Sequence, residues 1–149
     1  MPADSFFKKC LNGTLTENDF NFTKAGVGRN ALKGTVREKI RVLPYMVSLF
    51  DGKPISVQVP FKKNQISCAL ASSDGLCTLG FSESGHPKTL LQHDHLNELS
   101  KYDVDMIIKR RNDKSIKFDT LVYYNKTEIP YADDSFYFLL SDSILNELK

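Results

Sequence analysis

The fold is decided by residues 55–81, which read ISVQVPFKKNQISCALASSDGLCTLGF. Apolar and polar side chains alternate from Ile55 to Phe61 and again from Ile66 to Leu70, which is the period of a strand with one buried face. The pair Asp74-Gly75 is typical of a tight turn, and the segment from Leu76 to Phe81 then returns alongside. Because short turns join neighbouring strands in antiparallel order, this stretch predicts an antiparallel meander.

Further strands are expected to extend this sheet on both sides. The segment from Ile40 to Phe50 ends at Asp51-Gly52, a second turn pair, and is predicted to be the first of four strands in this meander. Apolar residues alternate again from Val104 to Ile108 and from Ile116 to Val122, on either side of a polar tip. With a last strand over Phe136–Leu140, we expect about six to seven strands in a mainly antiparallel sheet.

Three helices are expected to pack on the sheet. Apolar residues recur at helical spacing over Asp4–Leu11, which predicts an N-terminal helix. Thr89 followed by Gln92 has the spacing of a capping box and predicts a central helix that ends near Lys101. Ser141 is the expected N-cap of a C-terminal helix. Helices that cover one face of an antiparallel sheet give an α+β fold of two layers.

Length and composition set the expected domain organisation. The chain has 149 residues, of which 41% are apolar, and a formal net charge of +2. This length predicts a single domain spanning residues 1–149. Within it we expect residues 1–35 to form the first helix and an irregular basic arm, and residues 36–149 to form the sheet with its central and C-terminal helices. The composition excludes collagen-like and disordered chains.

Cysteine usage and the N-terminal sequence indicate a cytoplasmic protein. The three cysteines are an odd number, and none belongs to the CxxC pairs that are typical of zinc and redox sites. The first residues lack the apolar stretch of a secretory signal. No apolar run is long enough to cross a bilayer. We therefore expect an intracellular location and no membrane partner.

The histidines are the first candidates for chemistry. His93 and His95 resemble a metal-ligand pair, but on the predicted central helix residues two apart project about 200° away from each other. They could share one ion only if this stretch were a strand. His95 instead falls on the apolar stripe of that helix. No complete glycine-rich phosphate loop is present either. We therefore predict no catalytic residue, no metal site and no cofactor.

Carboxylates near the second hairpin form the sharpest candidate for an enzyme. Asp103 and Asp105 share a predicted strand face, and Asp119 with Lys117 lies on the next strand. Such a set is compatible with a metal-dependent nuclease or hydrolase. The favoured interpretation is that these residues form cross-strand charge pairs on an exposed hairpin.

Basic residues carry the hypothesis of nucleic-acid binding. One group crowds the polar tip of the second hairpin, and another belongs to the predicted basic arm and its continuation. Flexible basic segments can neutralise phosphates without reading bases. The candidate contacts are Lys109, Arg110, Arg111, Lys114, Arg37 and Arg41.

Three functional hypotheses follow from these observations. The leading one is a small non-catalytic module of the adaptor, chaperone, immunity or inhibitor type, which binds another protein through its sheet edge and surface. Neither its interface nor its partner is specified by the sequence, and a homodimer is one option. The first alternative is a nucleic-acid-binding accessory protein, and the second is the metal-dependent nuclease or hydrolase described above.

Overall fold

The protein has the predicted α+β fold, with a mainly antiparallel sheet. The computed structural model describes residues 1–21, 28–125 and 134–148. The helices are α1 (Ala3–Leu11), α2 (Arg29–Ser48), α3 (Asp134–Phe138) and α4 (Asp142–Glu147), with a 3-10 turn at Glu17–Asp19. The strands are β1 (Ser56–Gln58), β2 (Phe61–Lys63), β3 (Ile66–Cys68), β4 (Leu70–Ser73), β5 (Cys77–Phe81), β6 (Pro87–Gln92), β7 (Lys101–Asp103), β8 (Met106–Lys109) and β9 (Thr120–Tyr124).

Five of the strands form the main sheet, in the order β6-β5-β4-β1-β7. All four pairings are antiparallel, and the predicted turn at Asp74-Gly75 joins β4 to β5 with Gly75 at a φ of 90°. β2 pairs with β3 and β8 pairs with β9 in two separate hairpins. The antiparallel pairing predicted within residues 55–81 is therefore present, but the strand predicted over Ile66–Leu70 is divided between β3 in the hairpin and β4 in the main sheet. The strand predicted over Ile55–Phe61 is divided into β1 and β2, and Pro60 between them has no N–H to donate to a ladder.

Helix α2 covers one face of the main sheet. Val42 and Leu49 of the α2 segment pack with Ile55, Cys77 and Leu79 in a cluster of buried side chains. Residues 42, 46 and 49 follow helical spacing, and Met46 also packs against this cluster. Burial of such apolar surface is the main stabilising term of the fold, at roughly 25 cal/mol per Å².

The β2–β3 hairpin covers part of the opposite face. Phe61 and Cys68 of the hairpin pack on Ala71 of β4 and on Leu96, forming a second buried cluster. Gly80 of β5 lies beneath this hairpin. A Cβ atom at this position would stand 2.6 Å from the Cys68 sulfur and 2.8 Å from Thr89 Cγ2, so the hairpin approaches the sheet only because residue 80 is glycine.

The interpretation of the segment before the meander was wrong. The irregular basic arm that was predicted to reach residue 35 gives way to helix at Arg29, and the strand predicted over Ile40–Phe50 belongs to the same helix α2. The apolar positions that contact the sheet recur at 3.6-residue spacing. Asp51-Gly52 does turn the chain, with Gly52 at a φ of 82°, but the turn follows a helix rather than a strand. Pro44 lies inside the helix.

The central helix predicted over Thr89–Lys101 was also wrong. Residues 87–92 form β6, and Thr89 lies directly opposite Gly80 of β5. A capping box is a local signal, and here the ladder with β5 satisfies the backbone groups that a helix would use. The strand predicted over Phe136–Leu140 is replaced largely by α3, although Leu140 makes an isolated parallel bridge with Phe118.

The predicted terminal helices are confirmed. α1 begins one residue before the expected Asp4 and ends at Leu11, and Ser141 is the N-cap of α4. Ile144 of α4 is fully buried. Among the residues that the structure describes, no helix has the length and apolar character needed to cross a membrane.

The close approach at Gly80 gives a test of the fold. Gly80→Ala is expected to lower the free energy of unfolding by about 1–3 kcal/mol, because the new methyl group overpacks the contact between the β2–β3 hairpin and β5. Gly34→Ala is the matched control: Gly34 lies inside α2 with nothing within 4 Å of its Cβ position. That substitution should raise the free energy of unfolding by about 0.5–1 kcal/mol. Denaturant unfolding measures both, and equal effects would contradict the packing described for Gly80.

Candidate active site

An irregular segment, residues 93–100, crosses the sheet face that α2 leaves open. It leaves the end of β6 at His93 and reaches the start of β7 at Lys101. His93 has a φ of 67°, a left-handed conformation that is uncommon for residues other than glycine. Its N–H donates a hydrogen bond to the carbonyl of Leu76 at 2.9 Å. Residues in such conformations are enriched at functional sites, so this segment is a candidate functional site.

Thr78 of β5 fastens this segment to the sheet. Its side chain is fully buried on the open face. The Thr78 hydroxyl donates to the carbonyl oxygen of His93 at 2.8 Å and accepts from the N–H of His95 at 2.9 Å. Both histidines are thereby held relative to β5. Asp94 between them accepts a hydrogen bond from the Leu96 N–H at 2.9 Å.

The β2–β3 hairpin brings a lysine to His95. The ammonium group of Lys63, the last residue of β2, contacts Nδ1 of the half-buried His95 ring. An ammonium group has three donors and no acceptor, so Nδ1 accepts in this contact. A neutral imidazole that accepts at Nδ1 carries its proton on Nε2.

A cleft of about 300 Å³ lies between this segment and α2. Its α2 side is formed by Thr35, Glu38 and Lys39, whose spacing of three and four residues places them on one helix face. His93 and His95 form the other side, with the end of β6 at its base. Lys39 donates to the carbonyl of Leu90 at 2.9 Å, which ties α2 to β6 beside the cleft. We call this cleft the histidine cleft.

The histidine cleft combines the groups that phosphate chemistry needs. Imidazole rings transfer protons near neutral pH. An ammonium group such as that of Lys39 can stabilise negative charge that develops on a phosphoryl group. Glu38 adds a carboxylate that is open to solvent. This arrangement can transfer protons at a phosphodiester and stabilise its transition state.

An acidic pocket borders the other side of residues 93–95. Asp74, Asp94 and Asp103 line it together with Ser56 and Tyr123. Burial raises the pKa of Asp74, but the hydrogen bonds from the Lys53 ammonium group and from two backbone N–H groups outweigh burial and hold this pKa below its ordinary value. Asp94 faces Lys101, with 3.4 Å between carboxylate oxygen and nitrogen.

The carboxylates predicted for a metal-dependent nuclease do not assemble. Asp103 accepts a hydrogen bond from the Ser56 hydroxyl at 2.7 Å in the main sheet. Asp105 and Asp119 border opposite ends of the β8–β9 ladder, about 16 Å apart at 3.3 Å per residue. Lys117 lies over the ring of Phe138. Within residues 1–21, 28–125 and 134–148, no three His, Cys, Asp or Glu side chains are grouped so that they could hold a metal ion.

The predicted nucleic-acid contacts fall into two separate groups. Lys109, Arg110, Arg111 and Lys114 are exposed at the β8–β9 hairpin, and we call them the hairpin basic cluster. The Arg110 guanidinium group lies 5.5 Å from the centre of the Phe118 ring. The second group, Arg37 and Arg41, lies on α2. Each is two residues from Lys39, so both project away from the histidine cleft, and Arg37 pairs with Glu17 at 3.0 Å.

Comparison with protein families gives the class of this molecule. A family model described as phage-Barnase-EndoU-ColicinE5/D-RelE like nuclease4 (PBECR4) matches residues 1–138. The chain belongs to this family. Comparison with curated proteins and with solved structures gives no match.

Membership in PBECR4, a nuclease family, corrects the leading hypothesis. The prediction of a non-catalytic protein-binding module was wrong. It rested on the finding that no catalytic constellation survived in the sequence, and for the two histidines that finding depended on a helix over residues 89–101. With β6 ending at Gln92, His93 and His95 lie on an anchored turn and line one cleft, rather than projecting from opposite sides of a helix.

Several residues in or beside the histidine cleft were not predicted from the sequence. Lys63 belongs to a strand predicted only as part of the meander, and Thr78 lies between Cys77 and Leu79 without any motif around it. The one available signal was period-two alternation through Thr78, which places its hydroxyl on the face opposite the apolar α2 contact. Lys39 was noticed only as part of the basic arm.

The lowered pKa of Asp74 predicts a pH-dependent contribution to stability. Because its folded pKa lies below the ordinary value of about 3.9, the stabilisation is complete above about pH 4 and is lost as pH falls through the folded pKa. Asp74→Asn should therefore lower the free energy of unfolding at pH 7, and the difference from wild type should narrow below pH 4.

Urea unfolding between pH 7 and pH 3 measures this difference. Asp51→Asn is the control, because Asp51 is an exposed carboxylate that belongs to the other Asp-Gly turn, Asp51-Gly52. A gap between wild type and Asp74→Asn that stays constant across the range would contradict the assignment.

Proposed function

We propose that this protein is a ribonuclease that cleaves the RNA backbone by acid–base chemistry in the histidine cleft. The observation that carries the proposal is the convergence of His93, His95, Lys39 and the Lys63–His95 contact on one cleft, in a chain that belongs to a nuclease family. Proton-transferring rings and ammonium groups supply an acid, a base and charge stabilisation.

RNA suits this set of groups because its own 2′-hydroxyl serves as the nucleophile. In the proposed step His93 takes the 2′-hydroxyl proton while the 2′-oxygen attacks phosphorus. The bond from phosphorus to the 5′-oxygen then breaks, and His95 gives its Nε2 proton to that leaving oxygen. Lys63 supplies a proton to Nδ1 in turn, so the ring stays neutral. The products are a 2′,3′-cyclic phosphate and a free 5′-hydroxyl, and Lys39 stabilises the charge on the phosphoryl oxygens.

The catalytic proposal is tested with single-stranded RNA and with DNA of the same sequence. Wild type should cleave RNA and leave 2′,3′-cyclic phosphate ends, with DNA intact. His95→Gln and His93→Asn should each lower kcat about 10²–10⁴-fold, the usual contribution of a general acid or base. Asparagine tolerates the left-handed backbone of residue 93, so His93→Asn removes the ring while keeping the turn.

His86→Gln is the matched control, because His86 lies in the β5–β6 connection and bonds with Ser84 rather than with the cleft. It should cleave RNA at the wild-type rate. Cleavage of DNA at the same rate as RNA would exclude the 2′-hydroxyl as nucleophile. A His93→Asn/His95→Gln double variant with wild-type activity would exclude the histidine cleft.

We also propose that the hairpin basic cluster contacts the nucleic-acid backbone outside the cleft. Its four cations are exposed. Arg111 pairs with Asp119, but the distance between its nitrogen and the carboxylate oxygen is long, at 4.0 Å. Exposed cations at a hairpin tip neutralise phosphates in a way that is independent of sequence. The nuclease family supports a nucleic-acid partner for this surface.

Salt dependence of binding tests the hairpin basic cluster. Arg110→Ala/Arg111→Ala should weaken binding of single-stranded RNA and reduce the slope of log K against log salt by about 0.7 for each phosphate that the variant no longer neutralises. Arg37→Ala/Arg41→Ala removes the same charge from the outer side of α2 and is the matched control, with the wild-type slope expected. Equal slopes for wild type and both variants would remove the hairpin from the proposal.

For the location, we propose the cytoplasm. Cys10, Cys68 and Cys77 are free thiols, as suits a reducing compartment. Cys77 packs in the cluster under α2 and Cys68 in the cluster under the β2–β3 hairpin, so the two thiols are divided between the layers on either side of the main sheet. Burial raises the pKa of the Cys77 thiol, which fits a packing role for it.

A further inference from the structure

We infer that Thr78 is a positioning residue that fixes both histidines of the cleft through a single buried hydroxyl. The inference rests on the proposed function and deepens it, because it names the group that sets the geometry of the acid and the base. Thr78 does not line the histidine cleft. It acts through the backbone of the two residues that do.

The first observation is the pair of hydrogen bonds made by one oxygen atom. Thr78 Oγ1 gives its proton to the carbonyl of His93 and receives the N–H of His95. A hydroxyl group can donate and accept at once, which is the property this position uses. Thr78 is fully buried, so water cannot replace the hydroxyl if it is removed. The carbonyl of His93 and the N–H of His95 would each lose a partner, and an unpaired buried polar group is destabilising.

The second observation is the backbone of His93. Its left-handed conformation carries strain that persists only where surrounding contacts hold it. The N–H of His93 is bound to Leu76 and its carbonyl to Thr78, on the two sides of the strained residue. Further along, Leu96 is buried in the second cluster. Thr78 therefore binds the backbone between two other fixed positions, the hydrogen bond from His93 to Leu76 and the buried side chain of Leu96.

Loss of the hydroxyl should therefore move the histidine rings while the sheet stays intact. A displacement of about 1 Å of a catalytic group can cost on the order of 10²-fold in rate. Thr78→Val has nearly the same shape and replaces the hydroxyl with a methyl group that can neither donate nor accept. Thr78→Ser keeps the hydroxyl and removes only the methyl group, so it separates the hydrogen bonds from packing.

The experiment compares wild type, Thr78→Val and Thr78→Ser on the same RNA substrate. We expect Thr78→Val to lower kcat about 10–100-fold with KM within about two-fold of wild type, because phosphate binding by Lys39 does not pass through Thr78. Thr78→Ser should recover most of kcat. A Thr78→Val variant with wild-type kcat, or a Thr78→Ser variant as impaired as Thr78→Val, would overturn the inference.

A readout that is independent of activity separates this inference from the proposed function. NMR spectra of the imidazole nitrogens resolve three histidines, of which His86 is a built-in control outside the cleft. Thr78→Val should shift the ring signals of His93 and His95 and leave those of His86 in place. Unchanged His93 and His95 signals would overturn the inference whatever the activity. Shifted signals in a protein that cleaves no RNA would support it while the proposed function fails.

Amide exchange decides the case in which Thr78→Val does not fold. In wild type and in Thr78→Ser the N–H of His95 should exchange slowly, because it is bound to a buried hydroxyl. Exchange of this N–H in wild type as fast as that of an exposed loop amide would overturn the inference. Slow exchange in wild type that Thr78→Ser retains would support it.

Discussion

The rest of the structure depends on β5 being buried on both of its faces. Cys77 and Leu79 contact the layer under α2, while Thr78 and Gly80 face the β2–β3 hairpin and residues 93–100. The two faces of this five-residue strand therefore require different kinds of side chain. One face needs apolar volume, and the other needs a buried hydroxyl and a site without a side chain. Alternation of period two lets one short sequence, Cys-Thr-Leu-Gly, meet both.

The histidine cleft is a consequence of this double burial. Because Gly80 admits the β2–β3 hairpin closely, Lys63 at the end of β2 comes within contact of His95. Because Thr78 binds the backbone on both sides of Asp94, the turn after β6 is held although it is neither helix nor strand. Helix α2 packs on the other side of the sheet through Val42 and Leu49. This packing places Glu38 and Lys39 at the same edge of the sheet. Residues on three separate elements meet without a local motif.

Much of the sheet could be predicted from the sequence, because strand alternation and Asp-Gly turns are signals read within a few residues. The antiparallel strands between Ile55 and Phe81 were predicted for this reason, and the terminal helices from helical apolar spacing and the N-cap Ser141. The errors at residues 40–50 and 89–101 have a common cause. In both segments a short local signal, a turn pair or a capping box, was read as defining the element beside it, whereas a tertiary contact that only the folded chain supplies decides that element. Apolar spacing of 42, 46 and 49 was the one pattern that favoured the helix.

The candidate active site was harder to predict, and the reason is physical rather than statistical. From the sequence, His93 and His95 were considered as ligands of one metal ion. Such a site requires both rings to point at one atom. A histidine pair in which one ring is the general acid and the other the general base instead requires the rings to lie on two sides of a substrate. Residues two apart on an anchored turn can meet it, provided that something rigid holds the backbone between them. That condition depends on Thr78, fifteen residues earlier in the chain, so it becomes visible only when β5 and β6 are paired.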